Sequence, residues 1–123
     1  MHVPPGRLVI AIMVILCEVA ACGGNSQPPP PSCPNDVPSS CPSDAPTFAQ
    51  ALPIFQTRCG ACHAPMGMEA VRPFQTYDQI QPQVIDILFV LSQCLMPPVG
   101  QPQPTASDRH VILGWIECGA LNN

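Results

Sequence analysis

The sequence contains no lysine, few aromatic residues and few charged groups of either sign. Four arginines face eight acidic residues in a chain of 123, and the net charge is −4. A chain with no basic patch does not suit nucleic acid, so we exclude that class of partner. Aromatic residues make up only 5% of the chain, so a small domain of this composition needs disulfides, a metal or a cofactor to fold.

Proline and cysteine, in contrast, are abundant, with 18 and 8 residues respectively. The prolines exclude regular secondary structure from a good part of the chain. The cysteines indicate metal binding in a cytosolic protein, or disulfides and covalent attachment in an exported one. The N-terminus decides between these two readings.

Residues 1–21 have the pattern of a signal peptide. Arg7 precedes an apolar run over 8–16, which is too short to span a membrane as a mature helix. The following Val19-Ala20-Ala21-Cys22 resembles the lipobox of bacterial lipoproteins, in which cleavage exposes a cysteine that is then lipid-modified. The alternative is an ordinary small-residue cleavage site. We expect an exported protein that Cys22 anchors to a membrane, facing the periplasm or the cell surface.

Residues 22–46 read as a tether, because they begin with a flexible Gly-, Asn- and Ser-containing stretch and continue into four consecutive prolines. Residues 47–123 then form one small domain.

The chemistry of this domain is indicated by Cys59-Gly60-Ala61-Cys62-His63. Cys-x-x-Cys-His is the c-type haem attachment signature, because two cysteines three residues apart can reach the two vinyl groups of one haem. The adjacent His63 then supplies the proximal iron ligand. A thioredoxin-like redox pair would need a preceding strand, and a structural zinc site would need a second ligand pair; both patterns are absent. We expect one covalent haem c on Cys59 and Cys62.

A ligand for the opposite face of the iron can come from Met66, Met68, Met96 or His110. Met66 and Met68 follow His63 too closely to pass around the edge of a haem. Met96 has ample chain length, and the two prolines that follow it restrict its backbone. We therefore favour Met96 over His110, which we expect at the surface of a helix.

The remaining pattern predicts short helices and no strand pairing. Thr47 is a good N-cap for a helix that leads into the haem motif, although Pro53 should kink or interrupt it. A capping box at Thr76 opens a second helical stretch, and the last helix runs from Thr105 to Gly119. The fold class is all-α.

Residues 47–121 resemble the single-haem cytochrome c domains of bacterial exported proteins and lipoproteins. The segments that carry the resemblance are PIFQTRCGACH, CLMPPVG and ASDRHVILGWIECGA. The resemblance implies a cytochrome c-like fold of short helices around one covalent haem, with Met96 as the distal ligand. It also implies that Trp115 packs the last helix against the first, and that the Pro73 carbonyl accepts a hydrogen bond from His63.

Four cysteines remain after lipidation and haem attachment. Cys33, Cys41, Cys94 and Cys118 allow three disulfide pairings in an oxidising compartment. We favour Cys33–Cys41, which closes a short loop, and Cys94–Cys118, which ties the Met96 segment to the last helix.

The expected function is outer-sphere electron transfer with a redox partner protein. We find no acid–base pair or nucleophile constellation, so we do not expect an enzyme. A haem-based gas or redox sensor is one alternative, and a disulfide-stapled exported module without haem is another.

Overall fold

A computed structural model of the chain describes residues 32–123. The predicted signal peptide and the predicted lipid-anchor residue Cys22 lie outside the described residues. Residues 32–123 are helical and contain no strand, so the all-α expectation is confirmed for this part of the chain. None of its helices has the length and apolar character needed to cross a membrane.

Five α-helices, one π-helical turn and one 3-10 turn make up the described secondary structure. The α-helices are α1 (Phe48–Ile54), α2 (Gly60–His63), α3 (Tyr77–Ile80), α4 (Val84–Ser92) and α5 (Ala106–Glu117). A π-helical turn, Phe55–Cys59, joins α1 to α2, and a 3-10 turn, Gln81–Gln83, joins α3 to α4.

The helical run that carries the Cys-x-x-Cys-His motif begins at Thr47 with a complete capping box. The Thr47 hydroxyl accepts from the Gln50 backbone N–H, and the Gln50 side chain accepts from the Thr47 N–H. Pro53 lies inside α1 without ending the helical path. The backbone widens into the π turn immediately afterwards, and wide turns of this kind often occur at functional sites.

The sequence also predicts helix starts at Thr76 and Thr105, and these two N-caps differ in their hydrogen bonds. Thr105 is the N-cap of α5, where the sequence predicts that the last helix starts, and it forms a capping box with Asp108. Gly119 ends that helix with a φ of +91°. Thr76 is the N-cap of α3, but its predicted capping box is wrong. Its side chain makes no cap hydrogen bond, and Gln79 Oε1 accepts from the Gln75 N–H and not from the Thr76 N–H.

The core lies where α1 and the π turn pack against α5. Trp115 is fully buried, and its ring lies 5.4 Å from Phe48 and 6.1 Å from Phe55, measured between centroids. This contact is the helix pairing that the resemblance implies. Tyr77 and Phe74 extend the aromatic cluster, with Tyr77 packed edge-on against Phe48. A few aromatic residues therefore supply much of the core of a chain that has little bulky apolar material.

Residues 32–46 pack against the helices instead of standing apart from them. Gly114 of α5 leaves room for this segment, because a Cβ there would lie 2.9 Å from Pro46 and 3.2 Å from Pro42. The compact unit accordingly includes residues 32–46, which the sequence assigns to the tether.

The disulfide pairing expected from the sequence is wrong. The structure pairs Cys33 with Cys94 and Cys41 with Cys118, in place of Cys33–Cys41 and Cys94–Cys118. The reason is that residues 32–46 cross from the end of α4 to the end of α5. Each cysteine of this segment therefore meets the helix end beside it and not its neighbour in sequence.

An ion pair with a buried guanidinium holds the same segment between the two disulfides. Arg109 of α5 is only 5% exposed, and its guanidinium donates to both carboxylate oxygens of Asp36 at 2.6 Å. Its remaining nitrogen donates to the Leu91 carbonyl at 2.9 Å. The hydrogen bond from Arg109 holds the pKa of Asp36 below its ordinary value, although burial opposes this effect.

Candidate cofactor site

One cavity of about 120 Å³ brings together the four residues that the sequence predicts as haem ligands and attachment points. One wall comes from the end of the π turn, α2 and the loop after it, and the other from the segment after α4. The first wall contains Arg58, Cys59, Ala61, Cys62, His63, Met68 and Glu69; the second contains Met96, Pro97, Pro98 and Gln101.

His63 is held by contacts to the loop that follows α2. Its Nδ1 lies 2.8 Å from the Arg72 carbonyl oxygen, which can only accept, so Nδ1 donates and the neutral ring keeps a free lone pair on Nε2. The ring stacks on Phe74 with centroids 4.2 Å apart and planes 7° apart. The predicted acceptor was the Pro73 carbonyl, and this prediction is wrong. His63 uses the carbonyl of Arg72, the residue directly before Pro73.

The two motif cysteines are free thiols, whereas the other four cysteines of residues 32–123 are all in disulfides. Burial, together with the nearby Cys62, raises the pKa of the Cys59 thiol to about 11. A redox-active Cys-x-x-Cys pair needs the opposite shift, so this chemistry argues against a thioredoxin-like centre.

A structural zinc site is also disfavoured by the geometry. No three His, Cys, Asp or Glu side chains within residues 32–123 lie close enough together to hold a metal ion. Cys59, Cys62 and His63 therefore do not converge as zinc ligands do.

The structure separates the four candidates for the distal ligand. Met96 lines the cavity and is 41% exposed. Met68 also lines it, at 85% exposure, but from the same wall as His63. Met66 is almost fully exposed and does not line the cavity, and His110 is exposed with its Nε2 2.8 Å from Asp44.

The loop after α2 turns back tightly at Gly67. The Glu69 N–H donates to the Cys62 carbonyl at 2.9 Å, and a Cβ on Gly67 would come within 2.1 Å of that carbonyl oxygen. Only glycine fits this approach, and the turn places Met68 and Glu69 at the rim of the cavity.

Arg58 connects the cavity to α5. Its Nε donates to Asp108 at 2.9 Å, so the residue before Cys59 is joined to the capping box at the start of α5. Burial opposes ionisation of Asp108, but hydrogen bonds from Thr105 and Arg58 outweigh it and hold the pKa of this carboxyl below its ordinary value. The ion pair fixes the end of the π turn relative to α5.

The donor set fits a covalent haem. Two half-buried thiols lie one helical turn apart, the adjacent imidazole has a free nitrogen, and the Met96 segment contributes a thioether to the same cavity. The cavity is smaller than the roughly 300–1,000 Å³ of typical ligand pockets, so the macrocycle would extend over its open side. Met66, Met68, Val71 and Val99 of the two flanking loops are each more than four-fifths exposed, and a flat apolar ligand there would cover such side chains.

Several residues of the site have no signal in the sequence pattern. The stacking of Phe74 on His63, the pairing of Arg58 with Asp108 and the hydrogen bonds of Gln103 to the Met96 segment all join residues of ordinary type. For Arg58 the sequence holds one signal, because it is a charged residue directly before the Cys-x-x-Cys-His motif.

No protein-family model matches this chain, and no curated protein or solved structure is significantly similar to it. The likeness to single-haem cytochrome c domains therefore remains a resemblance in motifs. The candidate site depends on the geometry of the described residues.

Proposed function

We propose that this chain is an exported c-type cytochrome that transfers electrons through one covalent haem. The observation that carries the proposal is the composition of the cavity. Cys59, Cys62, His63 and Met96 line it together, and its two cysteines are the only free thiols among the described residues.

Each residue has a distinct part in this proposal. Cys59 and Cys62 would form the thioethers, and their spacing on a helical turn suits the two vinyl groups. His63 would bind iron through Nε2, and its hydrogen bond to the Arg72 carbonyl orients the ring and increases its basicity. Met96 would supply a thioether ligand, which favours the reduced state relative to a second histidine. When bound, the haem supplies a one-electron couple between Fe(II) and Fe(III).

The anchor proposed at Cys22 would keep this carrier at a membrane surface. Its redox partner is a protein of unknown identity, and the net charge of −4 favours a partner with positive charge near its own site. We propose the role of a carrier for this chain and not that of an enzyme.

The test is expression of the full chain with haem-attachment machinery, followed by absorption spectroscopy and mass spectrometry. We expect one covalent haem with a low-spin spectrum and a methionine–iron charge-transfer band. Cys59→Ala or Cys62→Ala should leave at most one thioether, and the double variant should carry no covalent haem. A high-spin, carbon-monoxide-reactive haem would indicate a sensor, and a chain with no Soret band would indicate a disulfide-stapled module.

A further inference from the structure

The segment that carries Met96 is closed by a single side chain. We call residues 94–103 the methionine loop. The Gln103 side-chain nitrogen, Nε2, lies 3.0 Å from the Pro97 carbonyl oxygen, 3.1 Å from that of Pro98 and 3.1 Å from that of Gln101. A primary amide has two N–H groups, so these three carbonyls share two donors.

The contact from Gln103 matters because the backbone of the methionine loop offers few hydrogen-bond donors of its own. Pro97 and Pro98 have no N–H, and Gly100 turns the chain with a φ of +91°. At its start, the Leu95 and Met96 N–H groups both donate to the Val90 carbonyl, at 2.8 and 3.4 Å. After Met96, the backbone hydrogen bond within the loop is that from Gln101 to the Pro98 carbonyl, at 3.1 Å.

We infer that Gln103 is a positioning residue, which holds the methionine loop closed and thereby keeps Met96 at the cavity. This inference rests on the proposed function for what Met96 does there. Gln103 does not line the cavity, so its effect on the iron passes through the loop backbone. Opening the loop would let the Met96 thioether move away from the facing wall that carries His63.

The test compares Gln103→Glu with Gln93→Glu in the matured holoprotein. Both changes keep the side-chain shape and add one negative charge, but Gln93 Nε2 donates only to Ser92 Oγ, at 3.4 Å. Gln103→Glu should raise the affinity of the ferric protein for added imidazole by roughly three- to tenfold, the effect of losing one hydrogen bond of ordinary net strength. The methionine charge-transfer band should weaken in parallel. Gln103→Leu should behave in the same way, which excludes the added charge as the cause.

A second measurement needs no haem. In the full chain without haem, the Leu95, Met96 and Gln101 amides should exchange hydrogen several-fold faster in both Gln103 variants than in wild type or Gln93→Glu. Unchanged imidazole affinity would overturn the inference, even if the Gln103 variants were less stable overall. If no haem attaches to the wild type, the proposed function fails. The amide-exchange measurement still tests the loop in that case, and unchanged exchange in the Gln103 variants would refute the closure of the loop by Gln103.

Discussion

At the scale of single residues, the candidate site depends on side chains whose hydrogen bonds and protonation are set by their surroundings. His63 can keep its Nε2 lone pair free because the Arg72 carbonyl engages Nδ1. The half-buried Cys59 thiol stays protonated at neutral pH, because its pKa is raised to about 11. Such a thiol is a poor nucleophile towards disulfides and is kept from unwanted oxidation until it is used.

Met96 provides the sharpest test at this scale, because Met68 lines the same cavity. Met96→Ala should open the sixth coordination position, convert a low-spin haem to a high-spin or water-ligated one, and lower the reduction potential. Met96→His should restore a low-spin haem at a lower potential than wild type. Absorption spectroscopy and redox titration would measure both effects.

Met66→Ala and Met68→Ala are the controls for Met96. Both should leave the spectrum nearly unchanged, because these residues follow His63 too closely to reach the opposite face of a haem. Loss of the charge-transfer band in Met68→Ala, with retention in Met96→Ala, would show that the ligand is assigned to the wrong methionine. The partly exposed Met96 contributes little packing, so we expect Met96→Ala to cost the haem-free chain less than about 1 kcal/mol.

At the scale of elements, the two disulfides connect one irregular segment to the ends of two helices. Cys94 lies at the end of α4 and opens the methionine loop, whereas Cys118 lies at the end of α5. The two crosslinks span 61 and 77 residues, so the entropy that each removes from the unfolded chain is similar.

Removal of either disulfide should therefore cost a similar amount of stability but affect the site differently. We expect Cys33→Ser/Cys94→Ser and Cys41→Ser/Cys118→Ser each to lower the free energy of unfolding by about 2–5 kcal/mol in denaturant titrations. Only the first pair should also weaken the methionine charge-transfer band, because only Cys94 belongs to the methionine loop. Equal weakening in both variants would refute a local role for Cys33–Cys94.

At the scale of the whole described domain, the Asp36–Arg109 pair joins residues 32–46, the end of α4 and α5. Asp36→Asn would leave the guanidinium of Arg109, which is 5% exposed, without its carboxylate partner. Because Asp36 itself is partly exposed, we expect a loss of roughly 2–3 kcal/mol, below the value for a fully buried pair. Chemical denaturation at pH 7 would measure this loss.

The same pair predicts how stability depends on pH. The pKa of Asp36 in the folded protein lies below its ordinary value of 3.8, so the unfolded chain binds the proton first as the pH falls. The contribution is fully present above about pH 5 and is lost below about pH 4, as the pH approaches the folded pKa. Asp108 acts in the same direction. The free energy of unfolding of Asp36→Asn should therefore fall less steeply with decreasing pH than that of wild type. An unchanged slope would show that the Asp36–Arg109 pair is not a source of the acid destabilisation.

The proposed membrane anchor concerns the whole chain. Cys22→Ser should abolish lipidation and leave unprocessed precursor or an unanchored form, because the serine hydroxyl cannot replace the thiol in lipid attachment. Detergent partitioning and mass spectrometry of the N-terminus would measure this. A Cys22→Ser protein that still carried lipid at its mature N-terminus would refute the lipobox interpretation.

The sequence by itself determined the features that depend on neighbouring residues. The helix starts at Thr47 and Thr105, the end of α5 at Gly119 and the spacing of Cys59 and Cys62 follow from interactions over three or four positions. Helical geometry relates such positions directly, so the pattern is sufficient to predict them.

Only the tertiary structure decided which distant residues meet. Asp36 and Arg109 are 73 positions apart, and the partners of Cys33 and Cys41 depend on the path of residues 32–46 across the helix ends. No local spacing encodes these contacts, because they arise from the packing of α1 against α5 and of the N-terminal segment against both α4 and α5.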